Sequence, residues 1–600
     1  MSIFSRKSSD HDPDGRFSED RRPLRWIALA LLGLFVVLGA WLGFQALSAK
    51  SSLERARDSA TQVKDALIDG KTDEAAQKAE TALAQAQSAR STMHSGLWNV
   101  AAGLPFVGGP FKTGQQISDV VSGLASDLLQ PAAKAGIGLS PSRLYQNGRV
   151  DVQLLRQQEP ELIKLSDSAA RLNEQAAAIK PAGFVAPLDN ARAQLQNQTS
   201  EIASLLENTT LAARIGPSLM GADGPRTYLL AFQTNAEARG TGGLLGGVGI
   251  LRFDNGKPTV EKLASNAELY TATAAVDLGP EFNQLYGASR PFTDVRNSNQ
   301  SAHFPYAAQI WKSMWERETG EKVDGVIGTD PVALSYILGA VGPVTLADGQ
   351  EVTQDNVVEL TMSTAYRKFP TDQNARKEYL QNIANAVVNK ITGQVKSPGK
   401  LLDAFGRAAG ERRIMVWSAF PEDQEVLEQT TLGHTIPGDA APYVQVVVNN
   451  FGGNKMDYYL EREIEYVADG CSGDVRNSTV TVRLTNTRKD ATADWAGVSQ
   501  GLPAGLPIKV LPSSMVSSVK VLATEGATLT SVTSNGEKIV PNKEAVERGH
   551  PSFEVQVLIP PGQSGELSFQ LEEPTAVGEA RVPVQPLIDN VAPRVSVPTC

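Results

Sequence analysis

The spacing of apolar residues divides most of the chain into three successive patterns. Between about residues 51 and 215, apolar positions such as Leu53, Ala56 and Val63 recur three or four residues apart, which predicts amphipathic helices. Between about 216 and 440, short apolar runs alternate with helical spacing, which predicts an α/β sandwich. After about residue 440, apolar and polar residues alternate, which predicts a β-sandwich of immunoglobulin-like type.

An uncharged run precedes these three regions. Arg25 stands before it, and no charged residue follows until Lys50, which is long enough to cross a hydrocarbon core of ~30 Å as a helix. Arginines on the N-terminal side predict that the tail stays in the cytoplasm and the rest lies outside. The predicted organisation is a disordered cytoplasmic tail (1–22), a single transmembrane helix in the plasma (inner) membrane (23–49), an extracytoplasmic helical region (50–215), an α/β domain (216–440) and a β-rich domain with its tail (441–600).

One glycine-rich stretch, from Arg226 to Gly256, organises the central domain. It begins as an apolar strand, passes through Glu237 and Arg239, and then holds glycines at 240, 242, 243, 246, 247 and 249. Such a density of glycine lets backbone N–H groups approach a ligand or another backbone closely. Two interpretations stay open: an anion-binding loop around Arg239, or a strand-loop-strand corner with an internal Glu237–Arg239 ion pair. The spacing does not match the nucleotide-binding P-loop.

The composition narrows the classes of function. A net charge of −10 argues against a nucleic-acid binder, so an acidic ligand would need a local cluster of arginines. The five histidines are scattered, without an HExxH or CxxC motif, which argues against a zinc site. Cys471 and Cys600 are the two cysteines, and outside the cytoplasm they are able to pair. The sequence alone does not decide whether they do.

Three segments of the chain resemble a known family. They are RTYLLAFQTNAEARGTGGLLGG (226–247), the long segment from DVRNSNQ to TLADG (294–349), and AYRKFPTDQNARKEYLQ (365–381). Together they resemble the family named domain of unknown function 4012, over roughly residues 95–465. Members of that family are membrane-anchored bacterial envelope proteins, common in actinobacteria.

The central region is also similar, more distantly, to the LytR-CpsA-Psr phosphotransferases, which attach polyprenyl-pyrophosphate-linked glycopolymers to the cell wall. The pattern of helix, strand and helix from Trp311 to Leu346 and the arginine-bearing segment from Tyr366 to Lys377 carry this similarity. Two motifs differ. The Ser-Ile-Pro-Arg-Asp motif of that family has no clear counterpart, its candidate place being Leu263-Ala264-Ser265-Asn266, and Arg376-Lys377 replaces an arginine-glutamine ending.

The second resemblance implies a pyrophosphate site. Arginine meets phosphate oxygens bidentately and stays charged, and carboxylates are able to hold a Mg²⁺ ion that bridges those oxygens. An apolar groove between the helices and the sheet would take the prenyl chain. The residues predicted for this site are the catalytic arginines Arg239, Arg296, Arg367 and Arg376, the ligand-approaching glycines Gly240, Gly242 and Gly243, and the Mg²⁺ ligands Asp294 and Asp372.

The implied function is that of a membrane-anchored, extracytoplasmic protein of bacterial cell-envelope assembly. Its partners would be the lipid bilayer, a polyprenyl-pyrophosphate lipid and a cell-wall glycopolymer, which it binds and, as a phosphotransferase, transfers to the wall. The alternative is a non-enzymatic scaffold that binds wall polymer or envelope proteins, and a third hypothesis is a sensor of the state of the wall. Arginines that converge on an apolar pocket favour the first hypothesis, whereas a filled core favours the second.

Overall fold

The computed structural model describes residues 22–135, 141–183, 185–393, 395–494, 496–499, 510–589 and 591–600, with backbone alone at 22–39, 68, 141 and 142. The predicted cytoplasmic tail lies outside the described residues, apart from Arg22. The chain forms two compact units. The first holds Met1–Ile137 and Lys164–Leu206, and the second holds Gly138–Ile163 and Glu207–Cys600.

The helix α1 (Arg22–Ile68) contains the predicted transmembrane segment 23–49. Within the part of the chain that the structure describes, no helix has both the length and the apolar character that a membrane span requires. The side chains of residues 23–39, which make up most of the predicted segment, lie outside that part. The span therefore stays a prediction.

The first unit is built on a helical hairpin. After α1 come α2 (Thr72–Met93), α3 (Gly96–Gly103), α4 (Gly109–Gly123) and α5 (Gln130–Lys134), with a π-helical turn at Leu124–Leu129. A break at Asp69-Gly70 separates α1 from α2, where Gly70 adopts a φ of +74°. Alanines at 75, 79, 82, 86 and 89 form the buried face of α2, and their small side chains allow the close approach of α1.

The chain continues with α6 (Pro141–Leu144), β1 (Tyr145–Gln146), β2 (Arg149–Val150), α7 (Val152–Ala177) and α8 (Ala186–Leu219). The elements that follow are β3 (Arg226–Arg239), β4 (Gly242–Asp254), β5 (Lys257–Ser265), α9 (Gly279–Tyr286), α10 (Phe304–Thr319), β6 (Gly325–Thr329), α11 (Pro331–Val341), β7 (Val344–Thr345), β8 (Glu351–Val352), α12 (Val357–Glu359), α13 (Ala365–Lys368), α14 (Gln373–Thr392), α15 (Pro398–Gly410), β9 (Ile414–Ser418) and α16 (Pro421–Glu428). This alternation of helices and strands confirms the predicted mixed α/β fold.

A five-stranded sheet lies in this part of the second unit. Its order is β5-β4-β3-β6-β9, with β3 and β6 parallel and the other neighbours antiparallel. The buried face of α10, with Trp311 and Trp315, packs in one core with sheet residues such as Leu229. Helix α11 begins at Pro331, because the Asp330 side chain accepts the backbone N–H of Ala333 at 2.8 Å and Pro331 occupies the first turn.

One local prediction in this region is wrong. The glycine-rich stretch, predicted as a loop between two strands, is mostly strand: β3 runs to Arg239 and β4 begins at Gly242. Glycines that lack a side chain let these strands continue against closely packed backbone, and the pairing register slips between Thr234 and Ala238.

The C-terminal part contains two further sheets. Its strands are β10 (Gln445–Asn450), β11 (Leu460–Ala468), β12 (Val475–Asn486), β13 (Met515–Leu522), β14 (Thr528–Ser534), β15 (Glu537–Ile539), β16 (Lys543–Glu547), β17 (His550–Ile559), β18 (Ser564–Pro574) and β19 (Arg594–Ser596). The sheet orders are β10-β13-β17-β16 and β15-β14-β18-β12-β11-β19. Val519 and Phe553 of one sheet share a buried core with Val482 and Phe569 of the other. The two sheets therefore pack around one core, and the immunoglobulin-like type stays a prediction.

Cys471 and Cys600 form a disulfide, with their Cα atoms 5.6 Å apart. The strand β19 runs parallel to β11, which brings the C-terminal tail back to the segment after β11. We expect no alkylated thiol when the protein is denatured without reductant, and two after reduction, because the chain has no other cysteine. Mass spectrometry of the alkylated protein measures this, and two labelled thiols before reduction would contradict the pairing.

Candidate functional site

A cavity of about 240 Å³ lies between the five-stranded sheet and the helices α11, α13 and α14. Most of its wall is apolar. On α14 the lining positions follow one another at three and four residues, so they share one helix face. The apolar lining residues include Phe232, Leu244 and Val248 from the sheet, Leu334 from α11, Met362 from the π-helical turn Leu360–Thr364, and Leu380, Ile383 and Ala384 from α14.

Two glycines of β4, Gly246 and Gly247, form part of the sheet wall. A Cβ at Gly246 would lie 2.5 Å from the Thr234 hydroxyl oxygen, and one at Gly247 would lie 3.2 Å from the Ala264 carbonyl oxygen. The two glycines therefore let the strand pass close to its neighbours, and they leave the cavity floor free of side chains at these positions.

Two cations of α14, Arg376 and Lys377, line the cavity without an acidic partner among the described residues. The neighbouring cations differ: Arg367 pairs with Glu359 at 2.6 Å, and Lys368 pairs with an aspartate, Asp348, at 3.6 Å. Two positive charges on an apolar cavity favour an anionic ligand, because a charge in such surroundings is stabilised by a counter-charge.

Tyrosine rings support both cations. The Arg376 guanidinium lies 4.8 Å from the centre of the Tyr366 ring, and its Nη1 donates to the Phe369 carbonyl at 2.9 Å. The Lys377 ammonium lies 5.8 Å from the ring centre of Tyr270, a half-exposed residue that also lines the cavity. A cation over an aromatic face is held in place by the ring quadrupole. The Arg376 fork is thus positioned before any ligand arrives.

A third lining cation, Lys455, is neutralised by Glu237. The Glu237 carboxylate accepts hydrogen bonds from Lys455 Nζ and, at 3.0 Å, from Arg239 Nη2. Burial alone would raise the pKa of Glu237, but the charges of Lys455 and Arg239 lower that pKa below its ordinary value. The positive charges of Lys455 and Arg239 therefore both lie against the Glu237 carboxylate.

Arg239 itself does not line the cavity. Its Nε donates to the Arg296 carbonyl at 3.0 Å, and its Nη1 donates to the carbonyls of Ala238 and Asn450 at 2.9 and 3.1 Å. The residue is only 5% exposed. These contacts correspond to the corner interpretation, with its internal Glu237–Arg239 ion pair, and they correct the prediction of an anion-binding Arg239.

The other predicted arginines lie in three different settings. Arg376 lines the cavity. Arg296 is exposed and paired with Asp294 at 2.8 Å, and its guanidinium lies 5.7 Å from the ring centre of Tyr270. Arg367 is exposed and does not line the cavity. Of the four predicted arginines, Arg376 is therefore the one that lines this cavity.

The predicted ligand-approaching glycines contact the protein's own chain. A Cβ at Gly240 would meet the backbone of Gln300 and Ser301, and one at Gly243 would meet the backbone of Thr234. Gly242 has a φ of +132°, and a Cβ there would lie 3.0 Å from the Pro586 carbonyl oxygen. These glycines therefore let backbone approach backbone closely in the corner. Approach to another backbone, instead of to a ligand, was the second reason to expect glycine at these positions.

The predicted Mg²⁺ ligands are occupied by protein groups. Asp294 accepts Nε and Nη2 of Arg296, both at 2.8 Å, and this hydrogen bonding lowers the pKa of Asp294. Asp372 caps α14 by accepting the backbone N–H of Ala375 at 3.0 Å. Over the described residues, no group of three or more His, Cys, Asp or Glu side chains is placed to hold a metal. Both aspartates thus already accept hydrogen bonds from protein groups, and Mg²⁺ stays a prediction from the resemblance.

The cavity also contains residues that the sequence did not assign to a site. Leu263-Ala264-Ser265-Asn266 line it, at the place matched to the Ser-Ile-Pro-Arg-Asp motif. Lys377 could have been found, because it follows Arg376 directly and is the residue that replaces the family's glutamine. Lys455 and Tyr270 carry no such signal. Lys455 stands in a turn of the region predicted as the β-rich domain.

A buried acid, Asp457, lies next to the corner and predicts a pH dependence of stability. Its Oδ2 accepts the backbone N–H of Ala238 and the Asn450 amide, both at 2.7 Å, while its Oδ1 has no hydrogen-bond partner. Burial raises the pKa of Asp457 to about 6. The unfolded value is about 3.9, so between roughly pH 4 and 6 the folded chain holds a proton that the unfolded chain lacks. This contribution to stability is present at low pH and is lost as the pH rises through about 6.

We therefore expect Asp457→Asn to raise the free energy of unfolding by about 2 kcal/mol at pH 7.5 and by little at pH 4. The amide oxygen is able to accept the same two hydrogen bonds without a buried charge. Urea unfolding at the two pH values measures this difference. The exposed carboxylate Asp348 provides the control, Asp348→Asn. An equal effect of Asp457→Asn at both pH values would contradict the prediction.

One family model matches the central segment of the chain. Residues 223–366 match the family described as a protein of unknown function, DUF4012, which confirms the first resemblance over a shorter range than predicted. The match extends from β3 to α13 and includes the sheet wall of the cavity, but it ends before Arg376 and Lys377. A comparison with curated proteins found no match. The similarity to the LytR-CpsA-Psr phosphotransferases stays a prediction.

Proposed function

We propose, from the premise that residues 223–366 belong to the DUF4012 family, that this protein binds a polyprenyl-pyrophosphate lipid in the cavity during bacterial cell-envelope assembly. The observation that carries the proposal is the pair of cations without acidic partners, Arg376 and Lys377, on a largely apolar cavity. An apolar wall favours hydrocarbon by removing it from water, and the cations favour a phosphate group. An isoprenoid pyrophosphate carries both chemical parts in one molecule.

The position of the cations on α14 adds to this argument. Gln373, Arg376 and Lys377 all line the cavity and lie in the first two turns of that helix. The N-terminal end of a helix carries a partial positive charge, which adds to that of the side chains. Arg376 offers a planar fork for two phosphate oxygens, and Lys377 offers a compact charge beside it. The pyrophosphate would lie at this end, with the first isoprene units against Leu334, Met362 and Leu380.

The proposed location is the outer side of the plasma (inner) membrane. The Cys471–Cys600 disulfide suits an oxidising compartment. The uncharged run between Arg25 and Lys50, with arginines before it, suits a single membrane anchor with a cytoplasmic N-terminus. A lipid-linked glycopolymer is presented at that membrane surface. Its transfer to the cell wall is the catalytic extension of the proposal and rests on the LytR-CpsA-Psr similarity alone.

The test is whether the full-length protein retains such a lipid. Protein purified from bacterial membranes in a mild detergent is analysed by native mass spectrometry, and we expect a bound isoprenoid phosphate. Ala384 lines the cavity, whereas its neighbour Asn385 is exposed. We expect Ala384→Phe to fill the cavity and remove the lipid, and Asn385→Phe to retain it.

Two results would contradict the proposal. One is a wild-type protein without lipid that also fails to bind an added isoprenoid pyrophosphate. The other is equal retention by the Ala384→Phe and Asn385→Phe variants, which would place the lipid elsewhere. A failure to bind lipid, together with binding of wall polymer by the same preparation, would favour the scaffold hypothesis.

A further inference from the structure

Exposed apolar side chains are concentrated at one end of the first unit. In that unit as described, Leu205 is the one exposed large hydrophobic residue outside this set. We name the set the apolar end. It consists of Trp41, Phe44 and Leu47 on α1, Val100 on α3, and Leu104, Phe106 and Val107 in the turn after α3.

Internal contacts hold the two parts of the apolar end side by side. Trp98 of α3 shares a small buried cluster with Ala49 of α1 and Met93 of α2. The hydroxyl of Ser95, just before α3, donates to the Gln45 side chain at 3.3 Å. The segment 41–47 of α1 therefore lies beside α3 and the turn that follows it.

The turn presents Phe106 outward in a fixed conformation. Phe106 is 98% exposed and has a φ of +67°, a region that side-chain-bearing residues rarely adopt. A Cβ at Gly108 would lie 2.6 Å from the Leu104 carbonyl oxygen, so the turn is tight. The chain after it is tied down, because the Trp98 indole donates to the Phe111 carbonyl at 3.1 Å. Among the described residues of the first unit, no group covers the Phe106 ring.

The surroundings of the apolar end match a lipid surface. Trp41, Phe44 and Leu47 lie in the last part of the uncharged run that begins after Arg25 and ends before Lys50. Three exposed lysines, Lys50, Lys112 and Lys180, stand around it, and Lys50 pairs with Glu54 at 3.7 Å. Lys180 is near the turn because its carbonyl accepts the hydroxyl of Thr113, at the start of α4. Aromatic and aliphatic residues ringed by lysines are typical of membrane-surface contacts.

We propose that the apolar end inserts into the headgroup region of a bilayer that contains anionic lipid, with Phe106 and its turn as the insertion point. This inference rests on the proposed membrane anchor, because the same bilayer would hold both. A helix anchored only by its own span is free to tilt. The second contact at Leu104, Phe106 and Val107 holds the first unit against the lipid surface.

The test places a fluorescent probe next to Phe106 in the full-length protein. The two native cysteines are paired, so Val107→Cys supplies one free thiol for an environment-sensitive dye. The protein is reconstituted into vesicles of phosphatidylcholine and phosphatidylglycerol, with or without lipids that carry a nitroxide near the headgroup. We expect vesicle-dependent quenching of about twofold or more at this position. The matched control is Gln77→Cys at an exposed position of α2. This position lies about 24 Å along the helix from Met93, at a rise of 1.5 Å per residue. A dye at this position should not be quenched.

The outcomes separate the anchor from the surface contact. Protein that floats with the vesicles but shows no quenching at Val107→Cys overturns the surface contact and leaves the anchor intact. Protein that does not float overturns the anchor, and the contact with it. Adding Phe106→Asp should abolish the quenching while flotation persists. A spectral change that follows protein concentration instead of lipid would identify a second copy of the chain as the occupant, which also overturns the proposal.

Discussion

Replacing Arg376 and Lys377 together by glutamine should weaken the binding of an isoprenoid pyrophosphate by roughly 100-fold or more. Each hydrogen bond to a charged group contributes about 1.5–3 kcal/mol, and the two contributions are not fully additive when both side chains meet one ligand. The fold should persist, because among the described residues neither cation has an ion-pair partner that would be left behind. The remaining apolar wall should still bind hydrocarbon.

Farnesyl pyrophosphate, a short and soluble isoprenoid pyrophosphate, is a suitable probe in titration calorimetry. The matched control is the adjacent pair Arg367→Gln and Lys368→Gln, whose cations already have the carboxylate partners Glu359 and Asp348. Farnesol, which lacks the phosphates, should bind the wild-type and cavity variants alike. Equal losses in the two double variants, or a loss that extends to farnesol, would show that the effect is not recognition of phosphate by α14.

Arg239→Ala should lower the free energy of unfolding by about 3 kcal/mol or more. The substitution removes the donors of three backbone carbonyls and leaves Glu237 with Lys455 as its one remaining cationic partner. Buried acceptors without donors and a partly compensated buried carboxylate are both costly. Urea unfolding of the full chain, followed by tryptophan fluorescence, measures the loss.

Arg367→Ala is the control for Arg239→Ala, because the Arg367–Glu359 pair is exposed and should contribute less than about 1 kcal/mol. Combining Arg239→Ala with Glu237→Gln should not recover the loss, because the buried Lys455 then lacks its carboxylate partner. A stable Arg239→Ala variant that has lost only the binding of isoprenoid pyrophosphate would return Arg239 to the ligand site. The prediction for Arg376 and Lys377 would then name only part of the residues that bind the isoprenoid pyrophosphate.

The two predictions together divide the positive charges of this region by function. Arg376 and Lys377 face the cavity and are free to meet an anion. Arg239 and Lys455 are joined through Glu237, so a change in one alters the electrostatic surroundings of the other. Lys455 lines the cavity and belongs to this cluster as well. It is therefore the residue through which the stability of the corner and the charge of the cavity are linked.

Local chain geometry explains which elements the sequence determined. The three- and four-residue spacing between Ser51 and Met93 specifies the α1–α2 hairpin, with Asp69-Gly70 as its break. The pair Asp330-Pro331 specifies the start of α11, and strict alternation specifies the sandwich strands. These features depend on residues a few positions apart, whose relative directions follow from the helix and strand periods themselves.

The site, in contrast, was decided by tertiary structure. In an extended segment Glu237 and Arg239 share a face, so their pairing was foreseeable, but the burial of that pair was not. It depends on Asn450 and Lys455, more than 200 residues further along the chain. Arginine has the same chemistry whether it meets a phosphate or a backbone carbonyl, so residue type alone does not separate these roles. Arg239 lies in the interior and Arg376 lines the cavity because of how three parts of the chain pack: the corner, the turn before β11, and helix α14.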